Sequence, residues 1–202
     1  MPNQFRFSTL LIILLPILAA GQRIVCLGDS LTAGYGLEPD QSWPAQLEGM
    51  LRKAGRDATV VNAGVSGDTS AGGLRRVDWI LRQEMDYLVI ALGANDALRG
   101  FPVEATMGNL RGIIRKARAR HPDVTIILAG MRAPPNMGTD YRKAFDEGYP
   151  RLAAEEEVRF LPFLLDGVAG VPELNLADGI HPNAEGQRKI ASLFLDCLRK
   201  ES

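Results

Sequence analysis

Three residues that can together activate a hydroxyl group for attack on an acyl carbon occur in two short polar segments of this chain. Ser30 follows an apolar run (residues 24–27) and lies in the segment G-D-S-L. His181 lies in the segment D-G-I-H-P-N, three residues after Asp178. A serine hydroxyl is a weak nucleophile until a base removes its proton, and histidine suits this task near neutral pH when a carboxylate fixes its tautomer. The combination predicts acyl transfer, with Ser30 as nucleophile, His181 as base and Asp178 as the group that orients the base.

Acyl transfer also needs hydrogen-bond donors for the negative charge that develops on the carbonyl oxygen. The candidates are the backbone N–H groups of Ser30 and Gly64 and the side-chain amide of Asn95. Gly64 and Asn95 each follow a further apolar run, although each is also an ordinary turn residue. Because such residues recur at successive strand ends, the functional interpretation is favoured, with Ser30, Gly64 and Asn95 forming an oxyanion hole.

The same residues also have a purely structural interpretation. Ser30 could cap the helix that follows it, since serine and aspartate are good helix caps. Asp178 and His181 could form a turn followed by a helix cap, because D-G is a common turn pair. The other histidine, His121, precedes Pro122 at a predicted helix end on the opposite edge of the sheet, where we expect a solvated helix C-terminal residue.

Alternating strand and helix patterns must position these residues. Apolar runs predict the strands, and periodic apolar residues between them predict the helices. The predicted strands are residues 24–27, 57–63, 86–92, 124–129 and 158–161. This alternation predicts an α/β domain with a mostly parallel sheet and helices on both faces. In such a sheet the functional loops lie at the carboxyl ends of the strands, where the candidate residues fall.

Four blocks of the sequence resemble one known family. They are G-D-S-L (residues 28–31), N-A-G-V-S-G-D around Gly64, G-A-N-D (93–96) and D-G-I-H-P-N (178–183). All four occur in order and at family-like spacing, and they are similar to the blocks of the SGNH, or GDSL, hydrolases over nearly the whole mature chain. Within that family the chain most resembles the secreted arylesterases and the multifunctional acyl-CoA thioesterases and lysophospholipases. The segments G-D-S-L-T-A-G-Y-G and M-R-A-P-P-N-M-G contribute to this closer resemblance.

The resemblance implies a three-layer αβα sandwich of the flavodoxin-like type, with a parallel five-stranded sheet in the order 2-1-3-4-5. It also implies a catalytic triad of Ser30, Asp178 and His181, and an oxyanion hole of Ser30, Gly64 and Asn95. The expected activity is hydrolysis of aryl or short-to-medium acyl esters through a covalent acyl-enzyme, with acyl thioesters and lysophospholipids as further candidates. We expect neither a metal nor a cofactor.

Apolar and methionine side chains border the predicted site and suit an acyl or aryl group, although they also fit loop residues that pack on the body of the domain. They are Leu98, Phe101, Pro102, Val103, Met131, Pro134, Pro135, Met137, Val168, Val171 and Leu174. A carbohydrate O-deacetylase on the same fold is an alternative. A non-catalytic binding module is a weaker one, because the sequence lacks both the dinucleotide fingerprint and the G-x-x-x-x-G-K-[ST] phosphate loop.

Length and composition fit one domain with a full core. The 202 residues carry 23 Lys+Arg against 24 Asp+Glu, a formal net charge of −1, so we expect no nucleic-acid partner. No basic cluster marks a phosphate or nucleotide pocket. The expected partner is a small acyl ester or thioester, and we expect a monomer. We also expect the two cysteines, Cys26 and Cys197, to be unpaired, with a disulfide as the alternative.

The N-terminus predicts export. Arg6 precedes an almost wholly apolar run (residues 9–20) that is too short to span a bilayer, which needs about 20 residues. A positive start, a short apolar segment and small residues at 19–21 are typical of a secretory signal peptide. We therefore predict a signal peptide at residues 1–21 and the hydrolase domain at 22–202, with a periplasmic or secreted location and no membrane span in the mature form. An uncleaved anchor is the alternative.

Overall fold

The computed structural model describes residues 21–199, so that residues 1–20 of the predicted signal peptide lie outside the described part. The strands are β1 (Gln22–Gly28), β2 (Ala58–Gly64), β3 (Tyr87–Ala91), β4 (Thr125–Ala129) and β5 (Arg159–Leu161). Each predicted strand is present, with its ends shifted by no more than a couple of residues. All pairings are parallel and the order is β2-β1-β3-β4-β5, which confirms the predicted fold class.

Helices flank this sheet. They are α1 (Ser30–Ala33), α2 (Trp43–Lys53), α3 (Ser70–Ile80), α4 (Ala94–Leu98), α5 (Val103–Arg120), α6 (Thr139–Glu155) and α7 (Ala184–Arg199). One group consists of α2 packed against α7, and the other of α5 packed against both α3 and α6. Among residues 21–199, no helix is long and apolar enough to cross a membrane.

The central strands are buried on both faces, which explains their continuous apolar sequence. In β1, residues 24–27 are completely inaccessible to solvent, and Cys26 is one of them. Neither Cys26 nor Cys197 forms a disulfide in the structure. Burial in this apolar strand raises the pKa of the Cys26 thiol well above its ordinary value, so this cysteine behaves as a small hydrophobic residue.

Strand register brings the predicted functional loops to one edge of the sheet. Gly28 pairs with Gly64 on one side and with Ala91 on the other, so that β1, β2 and β3 end side by side. The end of β2 also lies directly against α1. A Cβ atom on Gly64 would come within 2.3 Å of the backbone nitrogen of Ala33, and only glycine permits this approach.

A buried amide connects α7 to the elements around β1. The side chain of Gln187 accepts a hydrogen bond from the backbone N–H of Trp43 (2.8 Å) and donates one to the carbonyl oxygen of Leu31 (3.1 Å). The rings of Trp43 and Phe194 stack beside it, with centroids 4.3 Å apart. These contacts hold the start of α7, and therefore the loop before it, against α1.

His121 differs from its prediction. It ends α5 as expected, but its side chain is buried, and its Nε2 atom lies 3.0 Å from the carbonyl oxygen of Leu81. The prediction of a solvated residue is therefore wrong, because the end of α5 packs on the turn that follows α3. A carbonyl oxygen only accepts hydrogen bonds, so Nε2 must carry the proton.

Candidate active site

Ser30 is the first residue of α1, directly after the buried strand β1. The helix cap is Asp29, whose carboxylate accepts a hydrogen bond from the backbone N–H of Leu31 (3.0 Å). The helix lasts one turn and stops at Gly34, which adopts the left-handed conformation with φ of 79°. The structural interpretation of Ser30 as the helix cap is therefore wrong, and its hydroxyl is left for another partner.

That partner is His181. Its Nε2 atom lies 2.9 Å from the Oγ atom of Ser30, and its Nδ1 atom lies 2.7 Å from the Oδ2 atom of Asp178. An ionised carboxylate only accepts hydrogen bonds, so Nδ1 carries the proton and Nε2 of the neutral ring accepts from the Ser30 hydroxyl. Ser30 thus forms one hydrogen-bonded chain with His181, which lies 151 residues later in the sequence, and with Asp178.

The local backbone keeps Asp178 ionised and fixed. The backbone N–H of His181 and the His181 ring, followed by the backbone N–H of Ile180, donate to its carboxylate and lower its pKa from 3.8 to about 2. Gly179 makes the turn between them in the left-handed conformation, with φ of 67°. The turn that the sequence suggested is therefore real, and it serves to aim the histidine ring.

The helix cap suggested for this segment is also real, but it is Asn183 and not Asp178 or His181. The side-chain oxygen of Asn183 accepts hydrogen bonds from the backbone N–H groups of Glu185 and Gly186, each at 3.0 Å. Farther back, the N–H of Leu176 donates to the carbonyl of His181 (2.8 Å). The loop around His181 is thus tied at both ends, which leaves the imidazole free to meet Ser30.

Tyr35 contacts the imidazole from the other side, and sequence reasoning missed it. The ring centroids of Tyr35 and His181 are 4.5 Å apart with an interplanar angle of 36°. Its backbone N–H donates to the carbonyl of Ser30 (3.1 Å), and the flanking Gly34 and Gly36 both have positive φ. The segment G-Y-G was a signal that the chain turns back here, because only glycine adopts this conformation without strain.

The predicted oxyanion-hole donors lie at neighbouring strand ends, and two of them already have acceptors. The amide of Asn95 donates to the carbonyl oxygen of Asp68 (3.0 Å) and to the carboxylate of Asp29 (3.3 Å). The N–H of Gly64 donates to the side chain of Asn62 (2.9 Å). The N–H of Ser30 is in the first turn of α1, where a helix offers it no partner.

Asp29 is a completely buried carboxylate between Ser30 and the Asn95 amide. Burial raises its pKa from 3.8 to about 6, although the hydrogen bonds from Leu31 and Asn95 lower it in part. A buried carboxylate that titrates with a pKa near 6 destabilises the folded protein when it is ionised. Such perturbed groups are characteristic of functional sites.

A cleft of about 420 Å³ opens beside Ser30 and His181. Its wall is largely apolar and comes from the loops after β1, β3, β4 and β5. Prominent lining side chains are Leu31, Leu98, Met131, Pro134, Phe163 and Ile180. Of the bordering residues suggested by the sequence, Leu98, Met131, Pro134 and Pro135 do line it. Val103 and Val168 are instead buried in the core.

Residues 26–189 match the GDSL-like lipase/acylhydrolase family. The chain belongs to this family. The match includes all four blocks from which the resemblance was inferred, and the hydrogen-bonded chain of Ser30, His181 and Asp178 lies within it. Among residues 21–199, no group of three or more His, Cys, Asp or Glu side chains is arranged to hold a metal ion.

Three relatives of this GDSL-like protein carry names that fall within the predicted branch. Esterase TesA of Pseudomonas aeruginosa is 43% identical over 182 residues, which is 90% of each chain. Arylesterase of Vibrio mimicus is 40% identical over 182 residues, again 90% of each chain. Thioesterase 1/protease 1/lysophospholipase L1 of Escherichia coli K12 is 40% identical over 174 residues, 86% of this chain and 81% of that protein. The predicted family and branch are confirmed.

Two further groups that sequence reasoning missed hold the GDSL-like site together. The guanidinium of Arg76 donates to Asp68 (2.7 Å) and to the carbonyl oxygens that end β1 and β2, on Gly28 (3.0 Å) and Ala63 (2.8 Å). It thus fastens the loop that carries the Asn95 acceptor. No local pattern around Arg76 could have indicated this, because two of its acceptors are backbone carbonyl oxygens, which leave no signal in the sequence.

The second group surrounds Asp96, the neighbour of Asn95. Its buried carboxylate accepts hydrogen bonds from the backbone N–H of Ser70 (2.8 Å) and from the Ser70 hydroxyl (2.5 Å). The amide of Asn109 donates to the same hydroxyl (2.9 Å). These bonds anchor α4 to the start of α3, so the final aspartate of G-A-N-D is structural and fixes the position of Asn95.

Proposed function

We propose that the protein is a serine esterase that hydrolyses carboxylic esters through a covalent acyl-enzyme. The observation that carries the proposal is the hydrogen-bonded chain from Ser30 Oγ to His181 Nε2 (2.9 Å) and from His181 Nδ1 to Asp178 Oδ2 (2.7 Å). Membership of the GDSL-like lipase/acylhydrolase family and relatives named esterase, arylesterase and thioesterase support it.

In the acylation step, the Ser30 oxygen attacks the acyl carbonyl carbon while its proton moves to Nε2 of His181. The resulting imidazolium is stabilised by the ionised Asp178, which keeps the ring in the required tautomer. Collapse of the tetrahedral intermediate breaks the bond to the leaving oxygen or sulfur, and that atom takes the proton from Nε2. Ser30 is then acylated and the histidine is neutral again.

In the deacylation step, water replaces the departed alcohol or thiol. His181 removes a proton from the water while the water oxygen attacks the acyl carbon. The bond from the acyl carbon to Ser30 Oγ then breaks, and His181 gives the proton to Ser30 Oγ as the acid leaves. Over the full cycle the Ser30–His181 pair gives one proton to the leaving group and regains one from water. No oxidant, reductant or metal is required.

Ser30, Gly64 and Asn95 are our candidates for stabilising the oxyanion. The Asn95 amide currently donates to Asp68 and, over a longer distance of 3.3 Å, to Asp29. We expect the longer bond to give way, so that this N–H turns to the carbonyl oxygen of the substrate. The shorter bond to Asp68 is retained and keeps the amide in position, so the reorganisation that accompanies charge development is small.

The apolar cleft of about 420 Å³ favours an acyl or aryl group over a sugar. Aryl esters and short-to-medium acyl esters are the proposed substrates, with acyl thioesters and lysophospholipids as further candidates supported by the name of the Escherichia coli relative. The apolar N-terminal run supports export to the periplasm or beyond the cell. We further propose that the protein acts as a monomer.

The proposal is tested by hydrolysis of a p-nitrophenyl ester series from acetate to palmitate. We expect the wild type to turn over short-to-medium chains and Ser30→Ala to lose about 10³-fold or more in kcat/KM, because the nucleophile is gone. The chain-length optimum then defines the preferred acyl group.

The matched control is Ser192→Ala, since Ser192 is a helical serine on α7 whose hydroxyl donates to the carbonyl of Arg188 (3.1 Å). This variant should retain wild-type kcat/KM. Activity that survives in a folded Ser30→Ala protein would show that Ser30 is not the nucleophile.

A further inference from the structure

The cleft beside Ser30 contains one cationic side chain that no acidic group of the protein neutralises. Arg132 follows β4 and contributes to the cleft wall together with Phe163, Ser30 and His181. Its guanidinium carbon lies 4.4 Å from the centroid of the Phe163 ring. Within residues 21–199, the guanidinium has no ion-pair partner and donates no hydrogen bond to the protein.

The other charged or titratable groups of the cleft already have partners. The carboxylate of Asp29 accepts from Leu31 and Asn95, and His181 is occupied by Ser30 and Asp178. An arginine nearby on the same edge is also engaged, since Arg99 donates to the carbonyl of Gly67 (3.0 Å). Arg132 therefore presents a positive charge that is available to a ligand.

The contact with Phe163 gives this charge a defined place. A guanidinium lying over an aromatic ring is held by a cation–π interaction, and its planar edge remains free to donate hydrogen bonds to a carboxylate or phosphate. An uncharged acyl chain gains nothing from such a group and would have to pack beside a hydrated cation. The wall is thus apolar along most of its length and cationic at one point.

We propose that Arg132 determines specificity by binding an anionic group of the substrate, so that the preferred substrates are acyl esters that carry a carboxylate or a phosphate. This inference rests on the proposed function, because hydrolysis at Ser30 is what reports on binding. The anionic group can belong either to the acyl portion or to the leaving group, and both sources present the same chemistry to the guanidinium.

Two pairs of esters distinguish these sources. In the first pair the charge is on the acyl portion: the mono-p-nitrophenyl ester of suberic acid is compared with its methyl-capped, neutral counterpart. In the second pair the charge is on the leaving group: the octanoyl ester of p-hydroxybenzoate is compared with the octanoyl ester of its methyl ester. In each pair the measured quantity is the ratio of kcat/KM for the anionic and neutral members.

We expect Arg132→Gln to lower this ratio about tenfold in the pair whose charge reaches Arg132, because a charge-assisted hydrogen bond is lost. The kcat/KM for the neutral members should stay within about twofold of wild type. Arg132→Lys should retain part of the ratio, since it keeps the charge but not the planar guanidinium that lies over Phe163 and donates from its edge. Higher salt should reduce the wild-type ratio.

The matched control is Arg82→Gln, because Arg82 is exposed on the turn after α3 at the opposite edge of the sheet. It should leave both ratios unchanged. The inference is overturned if Arg132→Gln leaves both ratios as they are, or if it lowers anionic and neutral members equally. The proposed function has a separate outcome: hydrolysis of the neutral members that disappears in Ser30→Ala upholds it whatever the charge ratios show, and a wild type that hydrolyses none of the four esters contradicts both.

Discussion

The two histidines of the chain lie at opposite edges of the same sheet, and each borders a cleft of similar volume. The cleft at His181 measures about 420 Å³ and the cleft at His121 about 440 Å³. The Nε2 atom of His181 faces the hydroxyl of Ser30 at 2.9 Å, whereas that of His121 faces the carbonyl oxygen of Leu81 at 3.0 Å. Volume and residue type are therefore alike, and the partner of Nε2 differs.

This difference decides what each histidine can do. Opposite a carbonyl oxygen, Nε2 must be protonated and cannot serve as a base, whereas opposite a hydroxyl it can accept a proton. The other ring nitrogen, Nδ1, also has different surroundings in the two histidines. In His181 it meets the fixed carboxylate of Asp178 at 2.7 Å, but in His121 it lies 3.7 Å from Glu84, whose side chain is 89% exposed. One histidine is set up for proton transfer and the other joins two helix ends.

The different roles of the two histidines are tested most strongly by removing each imidazole in turn. We expect His181→Ala to lower kcat/KM for a p-nitrophenyl ester by about 10⁴-fold, because base and acid are both lost. We expect His121→Ala to lower the free energy of unfolding by about 1–3 kcal/mol through loss of a buried hydrogen bond. Its kcat/KM per folded molecule should remain within about threefold of wild type. Kinetics and urea unfolding of both variants measure this.

A large loss of kcat/KM in a fully folded His121→Ala protein would contradict the division of roles. So would a His181→Ala protein that keeps wild-type kcat/KM. Circular dichroism before and after the assay controls for loss of structure in either variant.

Much of the fold and of the candidate site could be predicted from the sequence, because the signals lie in short, contiguous segments. The strands were predicted because buried parallel strands are continuous apolar runs, as in residues 24–27 and 125–129. Ser30 and His181 could be placed near each other because the strand order brings the ends of the strands before them to one edge of the sheet. Their roles in a catalytic triad stay predictions. Short helices such as α1 and α4 were missed, since four or five residues show no helical period.

What the sequence could not supply are contacts between distant residues. The burial of His121 depends on how α5 meets the turn after α3, and that meeting leaves no local signal. The same holds for the bond from Arg76 to the carbonyl oxygen of Gly28, 48 residues away, and for the position of Arg132 over Phe163. The complete burial of Asp29 likewise depends on how β1, α1 and α4 pack together.

A second prediction compares an amide at each edge. We expect Asn95→Ala to lower kcat/KM about 10²-fold with KM little changed, because an oxyanion-hole donor acts in the transition state. Gln22 borders the other cleft and accepts a hydrogen bond from Arg56 (2.6 Å). Gln22→Ala should leave kcat/KM unchanged. Steady-state kinetics on one ester measures kcat/KM for both variants. An equal effect of the two substitutions would contradict the role of Asn95 as an oxyanion-hole donor.

A third prediction concerns stability and pH at the two edges. Because the pKa of buried Asp29 is raised from 3.8 to about 6, the folded state binds its proton more tightly than the unfolded state does. Its contribution to the free energy of unfolding is therefore complete below about pH 4 and is lost as the pH rises through about 6, by about 2–3 kcal/mol. We expect Asp29→Asn to abolish this decrease between about pH 4 and pH 7, as measured by urea unfolding.

The control is Asp86→Asn at the opposite edge of the sheet, where the strands begin. There the carboxylate of the exposed Asp86 accepts a hydrogen bond from the backbone N–H of Arg23 (2.6 Å). This variant should keep the decrease. If the wild type and Asp29→Asn lose stability in parallel as the pH rises, Asp29 is not the group responsible.

We propose that Ser30 alone among the serines of residues 21–199 has a hydroxyl that is activated as a nucleophile. Treatment with an alkyl p-nitrophenyl phosphonate tests it directly, since such a reagent phosphonylates only an activated serine. We predict stoichiometric release of p-nitrophenol, loss of esterase activity, and one added phosphonyl group that peptide mass spectrometry assigns to Ser30. His181→Ala should react about 10³-fold more slowly. Label on another serine, or equal labelling of Ser30→Ala, would contradict the account.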